Sequence, residues 1–378
     1  MHDAVVAAVH HAVVASAAAA LVALAVALFL LWRKRLVAAA RAADGAAVVP
    51  GPAATTAPLR VVPLADVERA TDGFHPSRVI GQGRHFAVYA AAPGIAAKRM
   101  HPHLVLGDPG GRRFPAAVRS LAVPPHPNLA ALVGLSEGPG ERVLLVERAP
   151  AGAVSLDRVL GGDDAHPPLS WHQRAAVAAG AARGLAHLHA HGVAHGRVRP
   201  RNLLVNANAG ARWRHATRLT DYGLAGFLDR ADAHAETDVY MFGAVLLELL
   251  TGRRWDGGRL ADWALPRIRA GTGPGALAEV LDVARAGPPR DKAEARLLAR
   301  TARVALACVG NDGRSRPGMA EVSAILSDVE AAYRGRKGAP EGEEEEDDGD
   351  GDEGRLSGCL LAPSRSAHKG DKLLRLPV

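Results

Sequence analysis

Apolar residues change their spacing once along this chain, and that change limits the fold more than any other feature. In the first half they form short β-prone stretches around Arg78 to Ile80 and Ala87 to Ala91, with further apolar runs at Leu129 to Leu135 and Val143 to Val146. Bounded by turn residues such as Gly81-Gln82-Gly83, these read as strands of a small sheet. From Leu169 onward apolar residues recur at three and four over Ala175 to His189, Val239 to Leu250, Ala293 to Val309 and Met319 to Val329. That is the period of amphipathic helices. Strands first and helices after predict an α+β protein of two lobes, strand-rich then helical. No internal repeat is present.

The N-terminal region carries a second signal. Ala12 to Trp32 contains no charged residue, and at about 1.5 Å per residue it spans roughly 30 Å, the thickness of a bilayer core. Leu21 to Leu31 is strongly apolar, Trp32 suits the interface, and Arg33-Lys34-Arg35 follows at once. This predicts one transmembrane helix over 12–32, with residues 1–11 outside and the remainder in the cytosol. A cleaved signal peptide fits less well, because Met1-His2-Asp3 lacks a basic start. Residues 33–63, rich in Ala, Pro, Gly and Thr, read as a juxtamembrane linker. Residues 335–378, an acidic run followed by a basic tail, are too polar to fold alone.

Composition excludes several classes. Two cysteines, Cys308 and Cys359, cannot build a disulfide scaffold, and without a C-x-x-C pair no structural metal is expected. His187, His189, His191 and His195 are spaced by two, which does not converge on a helix, and Gly192 interrupts the spacing of four. The formal charge is +7; Glu341 to Glu353 holds ten acids and no base, which leaves +17 spread over the rest. That charge is diffuse arginine without a nucleic-acid module, so no nucleic-acid partner is expected. Only six lysines occur, and Lys98 is the only one between Lys34 and Lys292. In a chain that otherwise uses arginine, this marks a position needing a compact ammonium, or else a solvated lysine at a strand end.

Several ordered motifs then fall into one pattern. Leu64-Ala65-Asp66-Val67-Glu68-Arg69-Ala70-Thr71-Asp72-Gly73-Phe74, Ile80-Gly81-Gln82-Gly83, Val88-Tyr89 and Ile95-Ala96-Ala97-Lys98 come first. His126-Pro127-Asn128-Leu129, Leu145-Val146-Glu147, Gly180-Ala181-Ala182-Arg183-Gly184-Leu185, Asp221-Tyr222-Gly223, Asp238-Val239-Tyr240 and Arg316-Pro317 follow. The order resembles the plant receptor-like serine/threonine protein kinases, over about residues 64 to 330. The resemblance implies a two-lobed kinase fold, with a small β-sheet lobe over 64–147 and a larger helical lobe over 148–334. It implies ATP at Gly81, Gly83, Val88, Ala96, Lys98, Val146, Glu147 and Leu204, and magnesium at Asn202 and Asp221. It also implies other receptor-like kinases or cytosolic signalling proteins as partners. With the N-terminal segment, the expected location is the plasma membrane, single-pass, without a receptor ectodomain.

The departures from that family sit on the chemistry. Where the family writes H-R-D-L-x-x-x-N, this chain writes His195-Gly196-Arg197-Val198-Arg199-Pro200-Arg201-Asn202. The proton-accepting aspartate is Arg197, a guanidinium with no acceptor atom. Phe86 stands where a third glycine is expected. The carboxylate that fixes the family's lysine falls on Ala117, so that ion pair cannot form, and Pro115 argues for a short or displaced helix there. Only Leu224 to Thr237 separates Asp221-Tyr222-Gly223 from Asp238, with no A-P-E, so Arg316 lacks its family partner. Asp238 can cap its own helix or bond the catalytic-loop backbone. His195 is expected to be a core residue. The expectation is a membrane-anchored pseudokinase acting as a scaffold or allosteric partner, with weak ATP and magnesium binding. The alternatives are a slow or unconventional kinase, or a tether that binds no nucleotide.

Overall fold

The computed structural model describes residues 59–105, 113–161, 167–206, 217–224, 234–270, 277–310 and 313–336. They form two compact units. The first runs to Ala151 and includes Tyr222–Leu224; the second spans Gly152–Asp221 and continues from His234.

The first unit contains β1 (Arg60–Val61), α1 (Leu64–Ala70), β2 (Val79–Gln82), β3 (Phe86–Ala92), β4 (Ile95–Met100), α2 (Pro102–Val105), α3 (Arg113–Ser120), β5 (Leu132–Gly138) and β6 (Glu141–Glu147). Its six-stranded sheet has the order β1-β5-β6-β4-β3-β2. Pro93-Gly94 and Pro139-Gly140 close the β3–β4 and β5–β6 hairpins, since Pro and Gly suit successive turn positions. Both faces of β6 are buried. Leu144 and Val146 join Phe86, Ala96, Met100 and Leu135 on one face, while Val143 and Leu145 join Val67, Phe74, Tyr89 and Ala97 on the other. A strand covered twice reads as an unbroken apolar run, which is what Val143 to Val146 is. α3 buries Phe114 and Val118, at 0% and 1% exposure, against the first face. Its eight residues accommodate Pro115, whose missing N–H lies in the first turn, where no helical acceptor exists.

β1 pairs in parallel with β5, Arg60 opposite Gly134 and Val61 opposite Leu135. The approach is close: a Cβ on Gly134 would lie 2.5 Å from the Arg60 carbonyl oxygen, and one on Gly138 would lie 2.5 Å from Leu64 Cδ2. Two glycines of β5 are therefore shaped to the chain segment that precedes and opens α1.

The second unit contains β7 (Ala153–Ser155), α4 (Leu156–Leu160), α5 (Trp171–Ala190), β8 (Leu203–Asn206), β9 (Thr217–Leu219), α6 (Ala235–Thr251), α7 (Arg259–Ala270), α8 (Val283–Ala286), α9 (Lys292–Gly310) and α10 (Met319–Arg336). α5 packs on α10 and α6 on α9, and β7, β8 and β9 form a small antiparallel sheet. A capping box starts α5, with Ser170 and Gln173 satisfying each other's backbone N–H groups. Small residues let the helices close up: Ala178, Ala179, Ala181 and Ala182 on α5 are at most 1% exposed. A Cβ on Gly243 of α6 would lie 2.5 Å from Val309 of α9.

The helices cover the sequence-expected segments and extend beyond them. The strand expected from Leu129 begins at Leu132, because the His126-Pro127-Asn128 turn holds Leu129, whose N–H donates to the His126 carbonyl at 3.0 Å. The transmembrane expectation is corrected. Residues 12–32 lie outside the described residues, and among those described no helix is long and apolar enough to cross a membrane. The expectation combined the absence of charge with the apolar run Leu21 to Leu31 and the basic cluster after Trp32; its first half, Ala12 to Ala20, is mostly alanine, which favours membrane insertion less than larger apolar side chains such as Leu, Ile, Phe and Val.

One buried acid makes the helical unit sensitive to pH. Glu248 on α6 is 6% exposed. Burial pushes its carboxyl up to about 7, opposed by the Trp255 backbone N–H and Arg254 and assisted by Asp157. From its ordinary value of 4.5 up to about 7 the folded state holds a proton that the unfolded chain has lost. Stability attributable to this group is therefore intact below that window and falls as pH rises through it, by up to about 3 kcal/mol. Glu248→Gln is expected to stabilise the protein by about 1–3 kcal/mol at pH 8 and to leave it unchanged near pH 4. Urea unfolding at the two pH values checks this, and equal shifts at both would refute it.

Candidate functional site

On the strand-rich unit, register places four of the expected nucleotide residues, Val88, Ala96, Lys98 and Val146, on one sheet face. Val88 pairs with Lys98, and Ala96 with Val146. Alternation puts Ala96, Lys98 and Met100 of β4 on the same side. Lys98 is 8% exposed in mid-strand, so it is not a solvated lysine at a strand end. Gly81 pairs with Val88 where β2 meets β3, and the N–H of Gly83 donates to the Phe86 carbonyl at 2.9 Å. The Gly83 carbonyl also lies 2.8 Å from His101 Nε2. Phe86, at the third-glycine position, is 7% exposed and sends its ring into the core. Glu147 ends β6, its N–H donating to the Ala131 carbonyl at 2.8 Å. Ala117 is half-buried on α3 and offers only a methyl group.

On the helical unit, the segment from His195 to Asn202 is held by side chains at both ends. The Asp238 carboxylate accepts from the backbone N–H groups of His195 at 2.6 Å and Gly196 at 2.7 Å, and lies 2.9 Å from His189 Nε2. The α6 cap residue His234 has no side-chain capping bond. Of the two roles open to Asp238, the structure uses the second: it fixes the loop. Asn202 Nδ2 donates to the Arg197 carbonyl at 2.8 Å, and the Arg197 N–H to His195 Nδ1 at 3.3 Å. His195 is fully buried, and that burial holds its imidazole below the usual range, as a neutral core group. Gly196 has φ 75°, a conformation that a side chain makes costly, so glycine relieves strain here.

The two expected metal residues belong to this unit. The N–H of Thr220 donates to the Asn202 carbonyl at 3.0 Å, which brings Asp221, the next residue, alongside Asn202. Asp221 adopts φ 65°, left-handed backbone that aspartate tolerates better than most residues. With Nδ2 committed to Arg197, any ligand role of Asn202 falls to Oδ1. Leu204 is half-buried on β8 between the buried Leu203 and Val205. The histidines do not converge. His189 faces Asp238, the His187 and His191 rings lie 4.4 Å apart and tilted by 45°, and among the described residues no group of three His, Cys, Asp or Glu could hold a metal.

Arg316 takes partners other than the family's glutamate. Nη1 donates to the Glu236 carbonyl at 3.0 Å and the guanidinium lies 4.9 Å from the Tyr240 ring centroid. Its substitute for a carboxylate is a carbonyl and an aromatic face. The A-P-E gap itself falls largely on residues 225–233, outside the described residues.

Comparison with known proteins agrees with this geometry. Residues 74–256 match the family model of the protein kinase domain. The chain is 33% identical to the leucine-rich repeat receptor protein kinase MSL1 of Oryza sativa subsp. japonica, over 74% of this chain and 22% of that protein. It is 31% identical to receptor-like cytoplasmic kinase 176 of the same species, over 70% of this chain and 75% of the relative. It is also 31% identical to the rice salt tolerance receptor-like cytoplasmic kinase 1, over 75% of this chain and 84% of the relative. The chain belongs to the protein kinase family, with plant receptor-like kinases among its relatives. It spans about a quarter of the length of the large receptor kinases it matches. The plasma-membrane location is corrected too: among the described residues no helix is long and apolar enough to cross a membrane, and the two rice relatives just given, matched over most of their length, are named as cytoplasmic kinases.

Proposed function

We propose that this kinase homologue does not transfer phosphate efficiently and acts as a scaffold or allosteric partner of other receptor-like kinases or cytosolic signalling proteins, with weak ATP and magnesium binding. The observation that carries the reading is Arg197 in a loop whose backbone Asp238 and Asn202 still hold in order. The position of the base is kept and the base is gone, a loss of about 10²–10⁴ in rate. Ala117 removes the carboxylate that the family sets against the lysine. The oxygen donors of Asn202 and Asp221 suit magnesium. Bound there, magnesium would supply neutralisation of phosphate charge, while Lys98 would bind phosphate oxygens.

A second reading, a slow or unconventional serine/threonine kinase, is favoured by two observations: Lys98 is buried on its sheet face, and the Thr220 N–H, next to Asp221, donates to the Asn202 carbonyl. Two measurements on the full chain separate the readings. In thermal shift, magnesium-ATP is expected to bind at about 10–100 μM, weakened by Lys98→Ala and Asp221→Ala. In radiolabel transfer to peptide, the parent is expected to be inactive. Arg197→Asp alone should recover little, because parts that act as a unit are not additive. Robust transfer by the parent, lost in Lys98→Ala, would establish the second reading instead.

A further inference from the structure

Between Asp164 and Asp221 the sequence carries eight arginines and no acidic residue. Three of them, Arg197, Arg199 and Arg201, alternate with Val198, Pro200 and Asn202 along the loop just described. Burial follows the alternation. Val198 is 1% exposed, Asn202 4%, and Pro200 is buried, whereas Arg199 and Arg201 are exposed and Arg197 is half-buried. The Arg201 side chain is 63% exposed, and its ion pair with Asp157 is long, at 3.8 Å. The backbone beneath the three guanidiniums is fixed by Asp238, by the Asn202 side chain on the Arg197 carbonyl, and by the Asn202 N–H on the Arg199 carbonyl at 2.9 Å.

We infer that this loop binds a peptide carrying phosphoserine or phosphothreonine, with the phosphate seated among Arg197, Arg199 and Arg201. The inference rests on the reading that the loop no longer acts as a base. Guanidinium forks match tetrahedral phosphate oxygens bidentately, and a backbone already held in place lowers the ordering cost of binding. Arginines grouped on one short loop suit a single phosphate group of about −1.5 to −2 charge. They do not form the extended basic track that a nucleic-acid backbone requires. The chemistry also follows from the substitution. Where the family's aspartate takes a proton from a hydroxyl, a guanidinium repels protons and attracts that hydroxyl's phosphorylated form.

The test is fluorescence anisotropy on the full chain, with a fluorescein-labelled peptide of neutral residues around one phosphothreonine. The same peptide without phosphate and a peptide of residues 341–353 serve as comparators. The phosphopeptide is expected to bind at least about tenfold more tightly than either, with affinity falling as salt rises. Arg199→Gln with Arg201→Gln, both exposed, is expected to lose about tenfold or more with the unfolding midpoint in urea checked alongside, and Arg197→Gln a comparable amount. Equal binding of the unphosphorylated peptide, equal binding of the acidic 341–353 peptide, or undiminished affinity in the double variant would overturn the inference. Radiolabel transfer by the same preparation judges the reading of an inactive loop separately, so failure of one is distinguishable from failure of the other.

Discussion

Replacing Arg174 with alanine is expected to lower the unfolding free energy by about 3–5 kcal/mol. The guanidinium is 4% exposed. Nε donates to the Leu169 carbonyl at 3.0 Å, Nη1 to the Leu249 carbonyl at 2.7 Å and Nη2 to Asp282 at 2.6 Å, and the group lies 5.0 Å from the Trp171 ring centroid. It thus ties the start of α5 to the end of α6 and to the residue before α8. Burial lowers its proton affinity, opposed by Asp282, yet an arginine stays charged at any working pH. Alanine would leave the Asp282 carboxylate buried without its cation, and that unpaired charge makes the loss large. Lysine should recover only part, since one ammonium cannot match a fork aimed at three acceptors. Urea unfolding measures both variants. A loss below about 1 kcal/mol for alanine would show that Asp282 finds another partner.

Asp238→Ala is expected to cost a similar amount, about 3–5 kcal/mol, by a different route. Two backbone N–H groups, of His195 and Gly196, lose their acceptor where water has little access, at about 1–3 kcal/mol each. His189 loses its partner as well. Asn at this position keeps one acceptor oxygen but points an NH₂ group at a donor, so it should restore less than half. Amide hydrogen exchange at His195 and Gly196 gives a local readout. Protection unchanged in Asp238→Ala would mean that the carboxylate does not hold the loop.

The sequence revealed the elements whose apolar residues, alanine included, are regularly spaced, and misplaced their ends where a buried charge interrupts the pattern. β6 was legible from Val143 to Val146. β4 was visible only as a motif, because Ala96 and Ala97 carry little β preference. Helical periodicity located α9 to within a residue at each end, but placed the start of α5 late, since buried Arg174 occupies a core position with a charge. It ended α10 early for the same reason: Glu330, 1% exposed and paired with Arg183 at 2.7 Å, breaks the pattern before buried Tyr333 resumes it. At the candidate site the residue identities were readable and their settings were not. Nothing in the spacing decided whether Asp238 caps a helix or grips a loop, or that Arg316 would turn to Tyr240. The alternation of Arg197, Arg199 and Arg201 was in plain view, but its meaning depended on which positions face inward.

Shortened to begin at Leu64, the strand-rich unit would lose β1 and expose the outer edge of β5. That edge has no side chain at Gly134, so its N–H and C=O groups there would lie poorly shielded. Open edges of this kind recruit strands from other molecules. The few residues before α1 therefore act as a guard against self-association as well as a piece of the sheet. Recombinant protein that omits them should form oligomers through β5 even if each unit folds.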